Sequence, residues 1–143
     1  MIERKYLPTL AELVDRLSIV QLKAIWIPEN QQAYNEERAL IEHDIDAILE
    51  EKFNVNAWRL TARDVRAIMV LMLCNRVIWE SESRARAGGD DQDKLLKFSH
   101  SINGVRNTAK NVLATAADQR IDLKIDAFAE KLVSEFGAWD IFK

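Results

Sequence analysis

Proline, glycine, histidine and cysteine are all scarce in this chain of 143 residues, at 2, 4, 2 and 1 copies. So few prolines and glycines leave little provision for tight turns, which excludes an architecture of many short strands. The single Cys74 cannot form an internal disulfide, and no paired-Cys motif, P-loop, G-x-G-x-x-G or H-E-x-x-H pattern is present. Cys74 ends a wholly apolar run and reads as a small core residue, which disfavours a Cys–His nucleophile. Cationic excess is missing too. Twenty basic against 23 acidic residues give a net charge of −3, which argues against nucleic acid as a partner, since phosphate neutralisation needs concentrated Lys and Arg. The longest apolar run, Ala67 to Cys74, is far shorter than the ~20 residues a bilayer requires. The opening residues Met1 to Leu10 lack the apolar stretch of a secretory signal. A single cytoplasmic domain over residues 1–143, with no membrane partner, is the expectation.

With 48% apolar residues, a chain of this length buries about two-thirds of its unfolded surface, enough for one core without staples. Thr9-Leu10-Ala11-Glu12 has capping-box spacing and opens a helix from about Leu10 to Ile27. Pro28 is suited to the first turn of a second helix, from about Glu29 to Lys52. Phe53 to Leu60 reads as a loop, and Thr61-Ala62-Arg63-Asp64 caps a third helix running to about Ala87. Gly88 and Gly89 end it, and a fourth helix covers about Gln92 to Ala117. Asp126 then caps a short last helix to about Phe136. These elements predict an all-α bundle of four long helices plus a short C-terminal one. The third helix, about 61–87, should be central and packed on all sides because of its apolar run. Glu29 to Lys52 carries eight acids against two bases, whereas Lys94 to Ala117 carries four bases and no acid, so these helices differ sharply in charge.

The functional signal lies in polar residues that a helical wheel places on apolar faces. The first helix has two such faces, one from Leu10, Leu13, Val14, Leu17, Val20, Ala24 and Ile25 and one from Ile19, Leu22 and Trp26. Asp15 and Ser18 lie beside the second. A buried carboxylate there must have a partner. On the third helix, Asn75, Glu82 and Arg86 share a stripe with Ile68, Met72 and Trp79, and Glu82 and Arg86 have ion-pair spacing. On the fourth, Asn103, Arg106 and Lys110 lie on a polar arc without any acid, a face suited to a phosphate or carboxylate. Glu12 and Asp15 form a carboxylate pair one helical turn apart that could hold Mg²⁺, a hard cation preferring oxygen ligands.

Three blocks carry a resemblance to a family of small bacterial proteins whose function is not established. Thr9 to Ile19 with Lys23 resembles that family's "LgELvDKlTI…K" block. Asn75 to Glu82 with Arg86 is similar to its "N…LWeIEd..R" block, and Asn103, Arg106 and Lys110 to its "ND.R…K" block. Gly104 and Ser83 stand where the family has acids, and its C-terminal lysine-containing block has no counterpart after Ala114. The resemblance implies a helical fold and singles out Asp15, Ser18, Asn75, Glu82 and Arg86, the same residues the wheel marks as misplaced.

The expected function is a binding protein whose inter-helix cleft takes an anionic small molecule such as a nucleotide or sugar nucleotide. Arg106 and Lys110 would take the anion, Asn75 and Asn103 orient it, and Asp15 and Glu82 hold hydroxyls, water or Mg²⁺. The enzymatic alternative is a Mg²⁺-dependent all-α nucleotide pyrophosphohydrolase. The third reading is a structural or adaptor protein acting through a protein partner or as a homo-oligomer, since the two-faced first helix and four Trp residues favour such a contact.

Overall fold

The computed structural model describes residues 1–122, over which the chain forms four α-helices and no strand: α1 (Leu10–Trp26), α2 (Gln31–Asn56), α3 (Ala62–Arg86) and α4 (Gln92–Ala116). The all-α bundle follows the apolar periodicity of the sequence; the short C-terminal helix expected after Asp126 lies outside the described residues. Caps fix the helix ends. Thr61 Oγ1 accepts from Asp64 N at 3.3 Å and Asp64 Oδ2 accepts from Thr61 N at 2.8 Å, a complete capping box at the start of α3. At α1 only half the expected box forms. Thr9 Oγ1 accepts from Glu12 N at 3.2 Å, but the Glu12 carboxylate turns to Arg120, 3.0 Å away. The segment after α4 completes the job instead, with Gln119 Oε1 accepting from Leu10 N at 2.8 Å. Arg120 also donates to Leu7 O at 2.7 Å and lies 3.8 Å from the centroid of the Tyr6 ring, clasping the two ends of the described chain together.

Two boundaries differ from expectation. Pro28 does not enter the first turn of α2. Ile27 before it is extended, as the proline ring demands of its predecessor, and α2 begins only at Gln31 after a left-handed Asn30. Gln31 compensates the end of α1, its Nε2 donating at 2.9 Å to both Ala24 O and Ile27 O. Residues 53–56, expected as loop, are helical, because the chain ends the helix at a left-handed Ala57 whose N–H bonds back to Phe53 O at 2.7 Å. At the α3–α4 corner Gly88 and Gly89 both take positive φ, +84° and +119°, where a side chain would be strained.

The packing resolves into two cores on either side of α1. Val70, Leu71 and Cys74 of α3 close on Ile102, Val105, Ala109 and Leu113 of α4, with Ala11 of α1. Leu13 and Val20 of α1 meet Ile41 of α2, flanked by Leu17, Tyr34, Ile45 and Ile48. The expected centrality of the third helix therefore divides. Among the described residues the α3–α4 pair is the most extensive contact, α1 is the helix that meets all three others, and α2 packs on no helix but α1. Because α2 does not reach α3, the run Ala67 to Cys74 is not packed on all sides: Met69 and Leu73 are 60% and 54% exposed. The two apolar faces read on α1 do not map one to each core: Leu13, Leu17 and Val20 of the first pack toward α2, Val14 of that same face packs with Ala11 toward α3 and α4, and Ile25 and Trp26 are more than half exposed.

Candidate functional site

A polar cluster forms where α1 crosses the α3–α4 pair. Asp15 and Ser18, one turn apart on α1, are buried, and so is Asn75 of α3. Asn75 Nδ2 donates to Asp15 Oδ1 at 2.9 Å and to Ser18 Oγ, and Ser18 Oγ donates to the carbonyl of Asp15 at 2.8 Å. From α4, Arg106 and Lys110, also one turn apart, bring nitrogens to 3.6 and 3.9 Å from Asp15 Oδ2. The carboxylate is thus shared by three helices. With only 11% of its side chain exposed, Asp15 would cost several kcal/mol if unpaired, so these partners are a condition of folding. Two cations on one carboxylate leave a surplus positive charge in a half-buried place. Arg106 is also incompletely bonded, because its Nε is buried and has no hydrogen-bond partner among the described residues. Cys74 lies beside the cluster. Burial pushes its thiol up to about 12, with Asp15 adding to the rise and Arg106 opposing it, so it stays a protonated core group as its apolar surroundings suggested.

The cluster opens on a cleft of about 300 Å³. Ile19 and Leu22 of α1 and Ile78 of α3 give it apolar walls, Trp79 an aromatic one, and Asn75, Arg106, Glu82, Ser83 and Arg86 its polar groups. Glu82 and Arg86 form an i,i+4 pair at 3.4 Å and stand at the solvent side, Arg86 78% exposed. Both amide hydrogens of Asn75 are committed, which leaves its Oδ1 as the acceptor with capacity to spare. Two larger clefts, of about 570 and 460 Å³, lie elsewhere. Their polar residues are largely taken by the α3 cap (Thr61, Asp64) and by the Glu12–Arg120–Tyr6 clasp, so convergence of polar groups and not volume marks the smaller cleft as the site.

Seven of the eight expected binding residues fall in one region. Asp15, Ser18, Asn75, Arg106 and Lys110 make the cluster, and Glu82 and Arg86 line the cleft it opens on. Lys110 reaches Asp15 from the other side and lines the 460 Å³ cleft instead. Asn103 is brought to neither cleft: it sits on α4 one turn before Arg106 and Asn107, and the α1–α4 contact runs through Arg106 and Lys110. The Glu12–Asp15 pair does not fit Mg²⁺. Glu12 is engaged by Arg120 and Asp15 by two cations, and among the described residues no three His, Cys, Asp or Glu side chains gather to hold a metal ion. Trp79 as a wall was missed as a site residue, although its place on the Asn75–Glu82–Arg86 stripe signals it. Comparison with protein-family models, curated proteins and solved structures finds no match for the chain.

Proposed function

We propose that this chain is a binding protein for an anionic small molecule such as a nucleotide or sugar nucleotide, held in the cleft between α1, α3 and α4. One observation supports this reading above others: a buried cluster with one more cation than anion opens on a cleft that also offers an aromatic wall and spare acceptors. Helix-tying alone would need one cation for Asp15; the second cation and the unbonded Arg106 Nε are surplus to that task. A volume of about 300 Å³ is at the small end of ligand pockets, so a large guest would place its charged part inside and extend into water. The pyrophosphohydrolase alternative has no free carboxylate set among the described residues to hold its metal.

Thermal shift against nucleotides, sugar nucleotides and inorganic anions, with and without Mg²⁺, is the test. A ligand at 100 times its dissociation constant stabilises by about 2.7 kcal/mol. The expected result is a rise in melting temperature for an anionic subset, abolished by Arg106→Gln; a flat response across the panel removes the proposal. A second reading, self-association, is favoured by Val65, Met69 and Leu73 at helical spacing on the open face of α3, all more than a third exposed. Light scattering across micromolar concentrations decides it, a strict monomer counting against.

A further inference from the structure

The cleft is unequal along its length, and that inequality orients a guest. From Asn75 to Arg86, α3 rises about 16 Å at ~1.5 Å per residue. At the inner end stands Arg106, only 23% exposed, which shares the single carboxylate of Asp15 with Lys110 on the far side, so its charge is only partly compensated. At the outer end Glu82 and Arg86 cancel one another in the open. Between them lie Ile78 and the indole of Trp79, on the same helix, against Ile19 and Leu22. An anion gains most where the partly compensated charge is least screened, which is the inner end. A flat ring gains most in the middle. Glu82, an acceptor-only carboxylate at the rim, recognises hydroxyl or amine donors.

Building on the reading of the cleft as an anion site, we infer that its guest is a phosphomonoester of a donor-bearing ring, a sugar phosphate or nucleoside monophosphate, lying lengthwise with its phosphate at Arg106 and its ring donors at Glu82. Three features of one guest are thereby matched in order by three parts of the cleft. Arg106 lines the cleft with a guanidinium whose Nε has no hydrogen-bond partner among the described residues. The Asn75 amide, its two hydrogens held by Asp15 and Ser18, has only its oxygen to offer, an acceptor for a hydroxyl of the guest and not for the phosphate.

Calorimetric titration of the full chain separates this inference from the reading beneath it. The probes are inorganic phosphate, adenosine monophosphate, glucose 6-phosphate, adenosine and glucose. Phosphate is expected to bind weakly, and at least one monoester at least about tenfold more tightly, with the unphosphorylated rings weaker than either. Glu82→Gln, at a partly exposed position that leaves the buried cluster intact, is expected to bring that monoester down toward phosphate while leaving phosphate itself unchanged. Trp79→Leu tells the two sources apart, because it removes an advantage of the nucleotide and spares that of the sugar phosphate. If phosphate binds but esters bind no better, or if Glu82→Gln tightens phosphate by freeing Arg86, the orientation is overturned and the anion site stands. If neither phosphate nor any monoester binds, both fall.

Discussion

The two sides of α1 solve the same packing problem with opposite materials. Toward α2 it buries Leu13 and Val20 against Ile41 and keeps charge at the surface, where Arg16 and Glu37 pair at 2.6 Å with 51% and 35% of their side chains exposed. Toward α3 and α4 it carries charge inside, placing Asp15 among Asn75, Arg106 and Lys110. A surface pair is worth at most about 1 kcal/mol and can be dispensed with. A buried carboxylate is costly and its partners cannot be dispensed with, yet apolar residues of similar volume often serve stability as well or better. The polar side of α1 is therefore hard to explain by stability alone, whereas the α2 side needs no other explanation.

Four measurements break or sharpen this contrast. The largest effect belongs to Asp15→Ala, which strands two cations and Asn75; urea unfolding should show a loss of about 3–5 kcal/mol, and a loss below about 1 kcal/mol would make the two sides alike. Next is Ile41→Ala, which removes the one buried residue of α2. It should cost about 2–3 kcal/mol. In the unmutated protein α2 amides should exchange hydrogen faster than those of α3 and α4; equal protection would mean that α2 is held by more than α1. The third concerns pH. The Cys74 thiol is raised from an ordinary 9.0 to about 12, so the unfolded chain releases its proton first; the stability this contributes is complete below about pH 9 and is lost as pH rises toward 12. From pH 9 to 10.5 the wild type should lose about 2 kcal/mol more than Cys74→Ala, read from urea unfolding at each pH; parallel curves would contradict the burial of that thiol beside Asp15. Smallest is Arg16→Ala, which should change unfolding free energy by less than about 1 kcal/mol.

The sequence made the helices legible because caps and apolar spacing are local. Thr61 with Asp64 and the glycine pair after Ala87 are each encoded within a few residues, and each has its counterpart in the fold. What was not legible depends on distant partners. Glu12 completes a capping box by sequence, yet Arg120, more than a hundred residues away, takes its carboxylate. The apolar run of α3 signals burial on every side, but whether anything covers Met69 and Leu73 depends on where α2 lies, which spacing does not encode. In the site, Asp15, Ser18 and Asn75 were visible because a polar residue on an apolar face is anomalous in one helix alone. Asn103 shares the polar arc of Arg106 and Lys110, and only the placement of α4 against α1 separates it from them.

The claim beneath all of this, that the inward-facing polar groups of α1, α3 and α4 serve a guest as well as one another, is most directly tested by nuclear magnetic resonance. The side-chain amide of Asn75 and the indole N–H of Trp79 would be followed while adenosine monophosphate or glucose 6-phosphate is added, with the indole of Trp58, in the separate 570 Å³ cleft, as the internal control. Saturable shifts of Asn75 and Trp79 with Trp58 unmoved are the predicted result. Signals that stay in place to millimolar ligand, or that move equally at all three residues, would contradict it.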